Sequence, residues 1–223
     1  MMKEEIIVKE VLRYLNVPYM TADQSLKEQI LEAYKDLTSV ATLRTAYQLF
    51  EFDMNKNFIS LKEVLFHVAS DDLARLLKNC KKVYLMATTI GGEVDRKISA
   101  AQQTDMMKAL IYNGCANVMI EEACDHIESD IMKELEPNEF LTMRYSPGYG
   151  DVALKVQAEI LNVLEAAKRA GITTTKAGML IPLKSITAFI GVSNVKEERQ
   201  KTCDKCLIQE RCIYRKRGER CGD

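Results

Sequence analysis

The segment Arg144-Tyr145-Ser146-Pro147-Gly148-Tyr149-Gly150-Asp151 brings together several kinds of recognition chemistry. Pro147 presets φ for the first corner of a type II turn, and Gly148 supplies the positive φ needed at the next, so a ligand can approach the backbone closely. Arg144, just before the turn, carries a planar fork of donors matched to a carboxylate. Tyr145 and Tyr149 offer ring faces that suit a purine or a cation. A helix beginning after Asp151 would favour anionic groups at its N-terminus. The plainer reading is a simple Pro-Gly turn with a solvated arginine and two tyrosines capping a core, and the pattern alone leaves both open.

A second cluster is Cys203-x2-Cys206-x5-Cys212-x8-Cys221. Thiolates at such separations suit zinc or an iron-sulfur cluster, because both select sulfur, although the spacing matches no standard ribbon, knuckle or ferredoxin pattern. Disulfides or free thiols are the alternative. An iron-sulfur cluster there could relay an electron; zinc would only order the tail. His67 lies among Leu65, Phe66 and Val68, and His126 follows Asp125 on a helical pattern, so both read as structural. Gly91-Gly92 lacks the spacing of a dinucleotide-binding turn.

The elements that must position these residues follow from periodicity. Ile6, Ile7, Val11, Leu12 and Leu15 recur at helical spacing, and Leu26, Ile30, Leu31, Tyr34 and Leu37 do so after Ser25, with Glu28 completing a capping box. Ala41 to Phe52 and Phe58-Ile59, separated by Asn55-Lys56-Asn57, predict a strand pair. Ser60 and Glu63 predict a helix through His67, and Ser70 caps another over 71–79. Lys82 to Thr88 predicts a buried strand leaving through Gly91-Gly92. Helices are expected over 95–112 and 116–135, broken near Asn113-Gly114, followed by a strand over 140–145. A helix with Val156, Ile160, Val163, Leu164 and Ala167 inward then ends at Gly171, and β structure runs over 173–192, with Pro182 at a strand edge or junction. Strands interspersed among helices without a strict βαβ rhythm predict the α+β class.

Several segments together resemble the activation domain of cobalamin-dependent methionine synthase. Arg144-x3-Gly148-Tyr149 is similar to that family's S-adenosylmethionine-binding motif. Ser70-x-Asp72-Leu73-x-Arg75-Leu76-Leu77, Cys80, Leu85-x-Ala87-x-Thr89-x-Gly91, Val94-Asp95-Arg96 and Met179-x2-Pro182-x2-Ser185 before Gly191 resemble it in the same order. Coverage runs from about Ala69 to Val192. The resemblance implies an α+β fold with a twisted, mostly antiparallel sheet flanked by helices. It implies one activation-domain-like unit over 1–195, with N-terminal helices and a strand pair over 1–68, a ligand-binding body over 69–195, and a basic cysteine-bearing tail over 196–223. It further implies that Arg144 holds the methionine carboxylate and that the Ser146, Pro147 and Gly148 backbone holds adenine and ribose. Tyr145 and Tyr149 would pack against the ligand, and Glu122 would take the amino group; a solvated helix-face carboxylate is the other reading of Glu122.

The chain departs from the family where Gly150-Asp151-Val152-Ala153 replaces a Pro-Ala-Cys-Pro stretch, and where no aromatic pair follows Gly191. It contains no cobalamin-binding motif. The implied cofactor is therefore S-adenosylmethionine, with cobalamin reached only through a partner: a methionine synthase lacking its own activation domain, or another corrinoid protein. An electron donor such as flavodoxin or ferredoxin is implied as well. The alternative function is a non-catalytic binding or regulatory module of a corrinoid protein.

Bulk properties agree with that picture. The chain has 223 residues, 47% of them hydrophobic, and a formal net charge of -1, so it can bury a substantial core and presents no global field for nucleic acid. Nine Lys/Arg against six Asp/Glu over 196–223 leave a basic tail behind an acidic body. A zinc-ordered tail with Tyr214 for stacking is the weak case for nucleic-acid binding. Charges through 3–13 interrupt the apolar core a signal peptide needs, no apolar run approaches the roughly 20 residues of a membrane span, and isolated Cys80, Cys115 and Cys124 suggest reduced thiols, so a cytoplasmic setting is expected.

Overall fold

The computed structural model describes residues 2–196. In chain order the elements are α1 Glu4–Tyr14, α2 Gln24–Thr38, β1 Arg44–Asn55, β2 Phe58–Leu61, β3 His67–Ala69, α3 Asp71–Leu77 and β4 Cys80–Thr89. There follow α4 Gly92–Thr104, α5 Met106–Glu134, β5 Phe140–Leu141, α6 Val156–Val163, α7 Ala166–Arg169, β6 Thr173–Thr174, β7 Leu180–Ile181 and β8 Ser185–Ser193. Six strands form one sheet in the order β3-β2-β1-β4-β8-β5, every neighbouring pair antiparallel. The class is α+β, as expected.

Strand β4 reads as an uninterrupted apolar run because both of its faces are covered. Val83, Leu85 and Ala87 join Phe50, Leu73, Leu77, Ile160 and Phe189 on one side, where α3 and α6 pack. Tyr84 and Met86 join Cys124, Ile127, Ile131, Ala188 and Ile190 on the other, under the C-terminal half of α5. Period-two alternation is thus present in space but hidden in hydropathy. The N-terminal half of α5 builds a third cluster with α1, α2 and α4 through Val11, Leu12, Ile30, Leu37, Val94, Cys115 and Met119. Serving two cores makes α5 apolar around most of its circumference.

Four local expectations are corrected. Helix α2 is capped not by Ser25 but by Asp23, whose Oδ1 accepts from Leu26 N at 2.7 Å. The Ser60-Glu63 box starts no helix: Glu63 has φ 66°, Leu61 N–H donates to Phe66 O at 3.1 Å, and β2 turns into β3. The long helical stretch breaks at Asp105, which is extended and caps α5 by accepting from Lys108 N at 3.0 Å. Gly114 lies inside α5, where a Cβ would come within 3.2 Å of Val11 Cγ1, so its role is to let α1 approach. The helix expected directly after Asp151 starts only at Val156. Among the described residues, no helix is long and apolar enough to cross a membrane.

Candidate functional site

The segment after β5 runs along β8 at the sheet edge. Thr142 N–H donates to Gly191 O at 2.9 Å, and Tyr145 exchanges backbone hydrogen bonds of 2.9 Å with Phe189. The chain then leaves the sheet through the expected turn, closed by Tyr149 N–H donating to Ser146 O at 3.2 Å, with Gly148 at φ 93° and Pro147 buried beneath it. Gly148 N–H donates to Val152 O at 2.8 Å, tying the far side of the loop. The Tyr149 side chain stands 66% exposed, its ring open to solvent.

Residues 144 and 145 face opposite sides of the sheet edge, as neighbours in an extended segment must. Tyr145 points toward α3, its hydroxyl shared between Asp72 Oδ2 at 3.3 Å and the Tyr149 carbonyl at 3.2 Å. Burial raises its pKa, and the Asp151 charge adds to the shift. Arg144 points toward α5 and meets three carboxylates. Its Nη1 donates to Asp125 at 2.8 Å and Glu128 at 2.6 Å, and its Nη2 donates to Glu121 at 2.9 Å. Burial works against the charge of this guanidinium, but the hydrogen bond to Asp125 and the charges of Glu128 and Asp125 outweigh it and hold the proton more tightly than usual. Beneath this cage the Cys124 thiol is pushed up to about 12, chiefly by burial, and is inert as a nucleophile at neutral pH.

Glu122 faces elsewhere. Its Oε1 accepts from Met2 N at 3.1 Å and its Oε2 from the Tyr34 hydroxyl at 2.7 Å, so its carboxylate fastens α5 to the N-terminal helices. The acids beside Arg144 are Glu121, Asp125 and Glu128, spaced four and three apart and hence on one helical face, a signal present in the sequence. Asp151 also acts away from its own helix. Its carboxylate accepts from Ser70 Oγ and from Asp71 N at 2.6 Å, capping α3 from across the fold. Gly150 permits this approach: at φ 51°, any Cβ there would collide with Asp72 Oδ2 and the Tyr145 hydroxyl.

The candidate site residues are therefore distributed over three places. Tyr145, Ser146, Pro147, Gly148 and Tyr149 form one loop, Arg144 sits in an acidic cage on its α5 side, and Glu122 lies at the α1–α2 junction. Cys203, Cys206, Cys212 and Cys221 lie outside the described residues. Among the described residues, no group of three or more His, Cys, Asp or Glu side chains is placed to hold a metal ion.

A crystal structure of the MetH reactivation domain bound to AdoHcy is similar over 98% of this chain and 84% of that one, with a TM-score of 0.61 and 15% sequence identity. The chain has a reactivation-domain fold. No family model matches the sequence, and no curated protein does. The similarity is thus one of backbone architecture, carried by the antiparallel sheet and its flanking helices. In that neighbour the fold binds AdoHcy. In this chain the loop at Arg144 to Tyr149 occupies a sheet-edge position that leaves Tyr149 and the turn backbone facing solvent.

Proposed function

We propose that this protein binds S-adenosylmethionine at the Arg144 to Tyr149 loop and serves the reductive reactivation of a separate corrinoid methyltransferase, such as a methionine synthase lacking its own reactivation domain. The observation that carries the reading is the loop itself: an arginine, a Pro-Gly turn with Gly148 at φ 93° and an exposed Tyr149 ring, on a reactivation-domain fold. Arg144 takes the methionine carboxylate, the Ser146 to Gly148 backbone takes adenine and ribose, and Tyr149 covers the ligand with its ring. The amino group falls to the carboxylates of α5 beside Arg144, because both oxygens of Glu122 are engaged by Met2 and Tyr34.

The protein's contribution is positioning. It would hold the sulfonium methyl group for transfer to a partner-bound corrinoid, while the electron comes from a donor such as flavodoxin or ferredoxin. The corrinoid supplies the nucleophilic metal when the partner is docked. A cluster on Cys203, Cys206, Cys212 and Cys221 could relay the electron; an iron and sulfide assay on anaerobically purified protein that finds neither removes that part of the proposal.

A second reading, a binding or regulatory module without productive ligand binding, is favoured by one observation: Arg144 already meets three carboxylates. Isothermal titration of S-adenosylmethionine into wild type and Arg144→Ala separates the two. Saturable binding that the substitution removes supports the first reading, and no binding by wild type supports the second.

A further inference from the structure

The carboxylates of the Arg144 cage divide by which nitrogen of the guanidinium they use. Asp125 and Glu128 both sit on Nη1, the Glu128 side chain 6% exposed and the Asp125 side chain 71%. Glu121 alone sits on Nη2, and its side chain is 48% exposed. A guanidinium has five N–H donors: one on Nε and two on each Nη. Two partners on Nη1 use that nitrogen fully, which leaves the Nε–Nη2 edge as the side able to grip an incoming carboxylate through two parallel hydrogen bonds. Glu121 stands on that edge with a single contact of 2.9 Å.

We propose that Glu121 is a built-in competitor for the ligand's carboxylate: it holds Nη2 until the carboxylate displaces it, while Asp125 and Glu128 keep the guanidinium oriented. This rests on the assignment of Arg144 as the carboxylate-binding residue. Toward the ligand's carboxylate Asp125 and Glu128 are positioning residues, since they act on that group through Arg144. Glu121 sets specificity, because it penalises only ligands that need the Nε–Nη2 edge. Its position favours exchange: it lies on the outer surface of α5, so once displaced it is solvated rather than stranded.

The probes are S-adenosylmethionine and its decarboxylated analogue, which differ only in the carboxylate. Each is titrated calorimetrically into wild type, Glu121→Ala and Arg144→Ala, with circular dichroism to establish folding. Alanine is the best helix former, so Glu121→Ala leaves α5 intact. The expected result is a roughly two- to fivefold rise in the preference for S-adenosylmethionine over the analogue in Glu121→Ala, the scale of one exposed ion pair. The ratio is the readout because contacts to the shared sulfonium, amino and adenosyl groups cancel; the analogue carries one more unit of positive charge, so the ratio is compared at high salt, where that longer-range difference is screened. A ratio in Glu121→Ala that stays at or below the wild-type value, while Arg144→Ala loses the preference, overturns the competitor role and leaves the carboxylate assignment standing. A wild-type ratio retained in Arg144→Ala overturns the assignment, and the competitor role with it. If wild type binds neither ligand, Glu121→Ala must gain S-adenosylmethionine binding for the inference to survive.

Discussion

Replacing Asp151 tests whether the candidate loop is fastened to the fold by the contacts described above. Its carboxylate accepts from Ser70 Oγ, from Asp71 N at 2.6 Å and, more loosely, from Asp72 N at 3.4 Å, all at the first turn of α3. Loss of an N-cap side chain costs ~0.5–2 kcal/mol, and hydrogen bonds to a charged acceptor are worth ~1.5–3 kcal/mol. Three features pull the net effect toward the low end. Asp151 is exposed, so water can take over the freed N–H groups. The carboxylates of Asp71 and Asp72 repel it, although Arg75 offsets Asp72. Ser70 also keeps its own cap on Leu73 N at 2.9 Å. We expect Asp151→Ala to lose about 1.5 kcal/mol in urea unfolding at low ionic strength, and Asp151→Asn about half of that, since an amide oxygen still accepts. High salt should shrink the gap between wild type and Asp151→Asn, because only the charge is screened. A loss below about 0.5 kcal/mol for alanine, or a cycle with Ser70→Ala showing no coupling, would refute the cross-fold cap.

Two further substitutions probe the frame around the loop. Gly191 lies buried in β8, where an added Cβ would fall 2.7 Å from Cys80 Sγ, 2.7 Å from Leu77 Cδ2 and 3.0 Å from Thr142 Cγ2. Gly191→Ala should therefore cost about 1–3 kcal/mol by overpacking, measured by thermal or urea unfolding, and pairing it with Cys80→Ala should recover part of the loss. Glu139, hydrogen-bonded to Lys82 Nζ at 3.1 Å, has its carboxyl held below the usual range by that bond, against burial. A lowered carboxylate contributes stability that is complete above the ordinary value near pH ~4.3 and is lost as pH falls through the folded value. Glu139→Gln should be less stable than wild type at pH 7 and show a flatter decline on acidification. Parallel stability–pH curves would contradict it.

Elements whose signals are local and uncontested were legible from residue types alone. Strand β4, the β1–β2 hairpin around Asn55-Lys56-Asn57 and the Ser70 cap of α3 occur where periodicity and capping rules place them. The misplaced boundaries share a different cause. Ser60-x-x-Glu63 satisfies the capping-box pattern, but Ile59 and Leu61 are needed in the core beside Phe66 and Val68, and β pairing wins. Gly114 looks like a break because glycine is a poor helix former. Its missing side chain instead makes room for Val11, while the real break at Asp105 is an N-cap inside a continuous apolar pattern.

The candidate site was legible in part for a related reason. Pro147 and Gly148 determine their turn through φ preferences that no distant contact is needed to set. Charged side chains have no such local determinant. Asp151 stands where the pattern predicts the start of the next helix yet caps α3, because Gly150 turns it toward Ser70. Glu121 and Glu122 are adjacent in sequence and separated by about 100° around α5, so one reaches Arg144 and its neighbour reaches Tyr34. A family-like motif can thus identify a loop, whereas the partner of each charge depends on which helical face the tertiary packing turns toward it. That is why the Glu121 substitution is the more discriminating one: a role for that carboxylate follows from the face on which the fold places it, and no motif alone contains it.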